Sequence, residues 1–168
     1  MAGTFAFIGP YTCDQGIATV ETVQQAPLGL IVQAFDTGSD DRGVGEFIYL
    51  QGVASTAIGS VVLYASDDWS TSLATANDIG SVAVAMSASV ASRYGWYQIS
   101  GKGAATSGAT VVDNAALYLH ATAGTASDDA VAGDFIYRMQ AASAVSGAGA
   151  FDVELHRPNV NNLLLINS

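Results

Sequence analysis

One cysteine, five basic residues and three prolines in 168 positions exclude a good deal at the outset. A single thiol, Cys13, cannot close an internal disulfide. With only two histidines beside it, the chain lacks the side chains for a Cys/His zinc cluster. Packing, assembly or oxygen-ligated ions are left to hold the fold. The basic residues Arg42, Arg93, Lys102, Arg138 and Arg157 are scattered and form no patch, against fifteen acids and a net charge of −10. Affinity for a phosphate backbone is built from lysines and arginines that release counterions, so DNA, RNA and anionic membrane surfaces are excluded as direct partners.

Long hydrophobic runs are missing as well. Half of the residues are hydrophobic and the mean hydropathy is +0.34. Yet the most apolar stretches, VAVAMSASVA at 82–91 and LLLI at 163–166, are short or broken by serine. Neither approaches the ~20 residues of a bilayer helix. The opening MAGTFAFIGPYT has no basic segment and no long apolar one, so no secretory signal is expected. The expectation is a soluble domain made in a reducing compartment, its positive hydropathy supplied by alanine and valine.

What the chain has in quantity is glycine, eighteen residues along its whole length, and between the glycines an apolar pattern of period two. EFIYLQGV (46–53) puts Phe47 and Tyr49 on one face and Ile48 and Leu50 on the other. The stretches 29–36, 60–66, 81–90, 95–101, 116–122, 134–140 and 150–156 read as strands in the same way. DTGSDDRGVG, GKGAATSGA and TAGTASDDAVAG carry the residues that turns require. Many short strands between turn signals predict an all-β single domain, a sandwich or small barrel of jelly-roll or Greek-key type. The alanine-rich region allows one short helix, at SLATAND (72–78). Residues 1–28 lack turn grammar and read as an extended N-terminal arm docked on something, 29–158 as the β domain, and 159–168 as a C-terminal tail.

One phrase occurs twice. GEFIYLQGVAS (45–55) returns as GDFIYRMQAAS (133–143), with six of eleven positions identical and the acid kept at Glu46 and Asp134. Two such strands half a domain apart fit a duplicated β-unit; chance recurrence of a good turn-plus-strand remains the alternative.

Chemistry is sparse. Three Ser-Asp-Asp triplets, at Asp40–Asp41, Asp67–Asp68 and Asp128–Asp129, fall in expected loops. They match neither an EF-hand loop nor a nonapeptide calcium repeat, so turn formation and solubility explain them, with calcium as the open alternative. His120 and His156 sit in or beside strands, and no G-x-S-x-G, H-E-x-x-H or phosphate loop occurs. No catalysis, cofactor or resident metal is expected. A small hydrolase using either histidine is the least favoured reading. Trp69 and Trp96, with Tyr94 and Tyr97, raise sugar stacking, against which stands the simpler role of core and rim.

SRYGWYQISGKG (92–103), the Gly-acid-Phe-Ile-Tyr strands and the late AVAGDFIYRMQAAS…FDVELHRPNV together resemble tailed-phage capsid decoration, or cement, proteins over roughly residues 43–160. The resemblance implies a structural virion protein, a homotrimer on the outer capsid surface, clamping neighbouring copies of the major capsid protein after synthesis in the host cytoplasm. Phe5, Phe7, Pro10 and Tyr11 of the arm are the capsid-contact candidates. A carbohydrate-binding or adhesive module, such as a head fibre, using Trp69 and Trp96, is the alternative.

Overall fold

The computed structural model describes residues 5–9, 14–38 and 40–161. It is all-β. Twelve strands are present among the described residues: β1 (Phe5–Ile8), β2 (Val20–Glu21), β3 (Ile31–Asp36), β4 (Val44–Gln51), β5 (Val61–Tyr64), β6 (Thr71–Leu73), β7 (Gly80–Ala85), β8 (Tyr94–Ser107), β9 (Ala116–Leu119), β10 (Ala126–Ser127), β11 (Phe135–Ala141) and β12 (Gly149–Val160). They form one hydrogen-bonded sheet in the order β1-β3-β4-β8-β10-β9-β11-β12-β7-β5-β6, with β2 beside β8. The sheet folds over on itself without closing into a barrel.

Two long strands make that folding possible, because each serves different neighbours along its length. The first half of β8 pairs with β4 and, at Tyr97 and Gln98, with β7; its second half, Ser100–Ser107, pairs with β12. β12 runs beside β8 as far as His156 and reaches β7 at Asn159 and Val160, with β11 along its other edge. Both strands extend past their sequence-predicted ends. The sequence predicts a turn at GKGAATSGA, yet its first glycines lie within β8 and serve close approach. A Cβ on Gly101 (φ +92°) would lie 2.6 Å from the Val44 carbonyl, and one on Gly103 2.4 Å from the Gln98 amide oxygen. In β12 the bend falls at Arg157, whose φ is +54°, immediately before Pro158. A proline at an irregular point of a strand loses no ladder hydrogen bond.

The core lies in three apolar clusters. In β5 and β7 successive residues are buried on both faces: Val61, Leu63, Val82 and Val84 join Leu117, Ile136, Phe151 and Leu155 on one side, while Val62, Ala83 and Ala85 join Ile48, Leu50, Tyr97 and Ile99 on the other. Strands covered on both faces need no polar alternation, which accounts for the unbroken VAVA of β7. The third cluster holds Phe47, Tyr49 and Trp96 under Ile17, Ala26, Leu28 and Leu30. Residues 14–30 therefore dock on the chain's own sheet. Gln15 fastens them. Its side chain accepts from the Tyr49 hydroxyl at 2.6 Å and donates to the Tyr94 carbonyl at 2.8 Å, while its backbone carbonyl accepts from the Trp96 indole.

The short helix expected at 72–78 is absent. Thr71–Leu73 is strand β6, Ala74 is fully buried, and Asp78 closes the following loop by accepting from the Thr75 amide. Pairing with β5 and burial of Ala74 override alanine's helical preference.

Candidate functional site

Of the four arm residues proposed as contacts, Pro10 and Tyr11 lie outside the described residues. Phe5 and Phe7 alternate onto the inner face of β1. The Phe5 ring meets Phe47 edge-on at a centroid distance of 4.8 Å, and Phe7 meets Trp96 at 5.5 Å. The opposite face of the same strands is uncovered. Strand register places Ala6 beside Phe35 and Phe35 beside Val44, with Ile8 beside Gln33 and Ile31 beside Ile48. Ile8, Ile31, Phe35 and Val44 are 42, 40, 43 and 54 % exposed. β5 and β7 cover this face at Ile48 and Leu50 and stop short of its edge. The result is a largely apolar strip at the β1–β3–β4 end of the sheet, crossed by Gln33 and Glu46, of the kind that marks an interaction surface.

Beside the strip, Arg157 donates two hydrogen bonds to the Glu46 carboxylate, at 3.0 and 3.2 Å, which pushes the guanidinium pKa up from its ordinary value. At the tip of the β3–β4 hairpin, Arg42 is buried and paired with Asp152 at 3.3 Å and Asp40 at 3.6 Å, and Lys102 also reaches Asp152. Three of the five cations are thus committed to carboxylates. Arg93 and Arg138 have no acidic partner among the described residues.

The acidic triplets act locally. Asp68 accepts from the Ser70 amide at 2.9 Å, and hydrogen bonds from Ser70 lower its pKa; Asp128 accepts from the Val112 amide at 2.9 Å. Among the described residues no three carboxylate, imidazole or thiol groups converge on a point that could hold a metal ion. His120 accepts at Nδ1 from the Thr122 amide and lies against Gly108, where a Cβ would run into the imidazole ring. His156 stands exposed on β12, opposite Ser100.

The tryptophans considered for sugar stacking are occupied inside the fold. Trp96 is fully buried. Trp69, with φ +58°, is half-buried beneath Gly29, whose missing Cβ makes room for the indole. A cluster of half-buried aromatics lies elsewhere, on the second copy of the repeated phrase. Ile48 and Ile136 occupy matching positions and are both buried, so the two phrases use the same strand frame. Their aromatics differ. Phe47 and Tyr49 are covered by residues 14–30, whereas Phe135 and Tyr137 are half-buried and form a three-ring cluster with Tyr118. The acids differ too: Glu46 pairs with Arg157 on the surface, while Asp134 is fully buried and accepts from the Asn77 amide at 2.6 Å. Sequence pattern showed the repeat but not which copy the N-terminal segment would cover.

The class that this architecture defines is an all-β domain made of one sheet folded over on itself. No protein-family model matches the sequence, and a comparison with curated proteins gives no match. Among solved structures, the chain is similar to the N base of the head fibre protein gp8.5 of bacteriophage phi29, with a TM-score of 0.51 at 13 % identity. The similarity covers 68 % of this chain and 97 % of that one, and it is a likeness of fold.

Proposed function

We propose that this protein is a structural component of a tailed-phage head, attached to the outside of the assembled shell and tying neighbouring major capsid subunits together. The observation that carries the reading is the shared fold with nearly the whole of a phage head-fibre base. The composition is in keeping with it. A net charge of −10 suits an outer surface better than a DNA-lined interior. The exposed strip of Ile8, Ile31, Phe35 and Val44 supplies an apolar face for a protein partner, in place of the inward-turned Phe5 and Phe7. A protein that binds only the mature lattice stabilises it by linkage, about 2.7 kcal/mol per site at a concentration 100 times Kd. Catalysis has no part in this role, and a trimer would present three such strips to one lattice point.

The test is co-sedimentation of the purified protein with undecorated expanded heads and with their precursor shells. Saturable binding to expanded heads, weakened about tenfold or more by Phe35→Ser, is the expected result. Binding to neither particle would overturn the reading. Saturable binding to both particles, indifferent to Phe35→Ser, would favour the second reading, an adhesive head-fibre base, which the neighbour's own identity supports.

A further inference from the structure

The uncovered aromatic face of β9 and β11 has a composition that head attachment does not use. Phe135 is its centre, with Tyr118 at 5.4 Å and Tyr137 at 4.6 Å between ring centroids, the rings tilted by 54° and 71°. A groove opens on each side of it. One, of about 320 Å³, is lined by Tyr118, Ala130, Val131, Ala132, Phe135 and Tyr137. The other, of about 310 Å³, joins Phe135 to Asn114, Arg138, Gln140 and His156 over a floor that includes Met139. Both volumes are at the small end of ligand sites.

The second groove concentrates unused polar groups. Neither the Arg138 nor the His156 side chain has a hydrogen-bond or ion-pair partner among the described residues. The Tyr118 and Tyr137 hydroxyls beside the first groove likewise have no hydrogen-bond partner among the described residues. Arg138 is held there at a cost. Its φ is +63°, in the left-handed region, at the irregularity where β11 and β12 slip register between Tyr137 and Met139. Bulges of this kind re-aim a side chain and cluster beside binding sites. In a chain with three times as many acids as bases, a guanidinium left without a carboxylate beside an aromatic ring is matched to an anion that brings its own apolar face.

We propose that this face is a binding site for an acidic saccharide, a chain containing uronic or sialic acid units. The rings of Phe135, Tyr137 and Tyr118 take the C–H faces of consecutive sugar rings. Arg138 forks onto a sugar carboxylate in the second groove, where His156 and the side-chain oxygen of Gln140, whose amide nitrogen donates to the Asn114 carbonyl, meet the neighbouring hydroxyls. The two grooves flanking Phe135 suit a chain of rings better than a single carboxylate side chain. The site stands apart from head attachment, since the apolar strip and this face lie on different strands. A chain that binds heads but no acidic glycan keeps the proposed function and loses this site.

The test measures binding of the full chain to an immobilised panel of oligouronates and sialylated oligosaccharides. The same backbones with esterified carboxyls, and poly-glutamate, are included as comparisons. Capture by at least one acidic glycan is expected, weakened about tenfold or more on esterification and again in Arg138→Asn. Asparagine accepts the left-handed backbone, so that variant keeps the bulge; an unchanged melting curve checks it. Tyr137→Leu should weaken the acidic and esterified forms alike. Capture of no panel member, capture that ignores Arg138→Asn, or poly-glutamate bound as tightly as any glycan would each overturn the proposal, the last by making the groove a site for acidic protein segments.

Discussion

Burial pushes the Tyr97 phenol up from its ordinary value of 10.0, and the hydroxyls of Thr71 and Ser89 pull it only part of the way back. As pH climbs through 10 the unfolded chain gives up this proton while the folded chain still holds it, so the unfolded state is increasingly favoured. The stability tied to the neutral phenol is complete below pH 10 and is lost as pH rises through the folded value. The melting temperature should therefore fall as pH rises above about 10. Tyr97→Phe should be less stable than the native chain near neutrality by about 1 kcal/mol, for the lost hydrogen bonds, and should flatten the alkaline fall. Melting curves of the two proteins across that range check it; parallel pH profiles would mean that Tyr97 is not the group responsible.

At the scale of elements, the N-terminal segment is the clearest case of one side chain fixing another stretch of chain. Gln15 is 2 % exposed and completes the polar ends of Tyr49 and Trp96, two of the largest buried side chains. Gln15→Ala removes the side chain that accepts from the Tyr49 hydroxyl and donates to the Tyr94 carbonyl in a buried setting, at a cost of about 1–3 kcal/mol. Residues 14–28 should then be cut by protease at enzyme levels that spare the native chain, and exposure of Trp96 should red-shift the fluorescence. An unchanged digestion pattern would mean that Ile17, Ala26 and Leu28 hold the segment without it. Nothing in QGIATVETVQQ announces this role, because Tyr49, Tyr94 and Trp96, which Gln15 ties to this segment, stand 34 to 81 residues away in sequence. Strands with a period of two were legible for the opposite reason, since alternation is written locally. All eight sequence-predicted strands are strands in the structure. What stayed illegible was anything set by a distant neighbour: the continuation of β8 through Gly101 and Gly103, the loss of the helix at 72–78, and the choice of which Phe-Ile-Tyr strand is roofed over. That last choice also misdirected the site. Composition pointed to Trp69 and Trp96; the fold buries Trp96 and packs the half-buried Trp69 against Gly29, while the half-buried rings of Tyr118, Phe135 and Tyr137 line two grooves.

For the whole molecule, the consequence of the sheet order is cooperativity. The three apolar clusters are separate in contact but not in backbone, because β8 and β12 pass from one neighbourhood to another and pair with each other over eight successive positions. Leu155, fully buried in the cluster with Val61 and Ile136, lies on β12 opposite Gly101 of β8, the same strand that carries Trp96 into the N-terminal cluster. Leu155→Ala opens a cavity worth about 2–5 kcal/mol in the first cluster. If the clusters melted independently, the loss would lower only the part of the denaturation curve that reports on that cluster. A sheet that must separate β8 from β12 to release any of them melts as a unit. Denaturant unfolding followed by circular dichroism and by tryptophan fluorescence should therefore coincide in the native chain. Both curves should shift by the same amount in Leu155→Ala, although neither tryptophan belongs to the cluster that is cut. A fluorescence midpoint left in place while the dichroism midpoint falls would show two folding units, and would reassign residues 14–51 with the first half of β8 to a subdomain of their own.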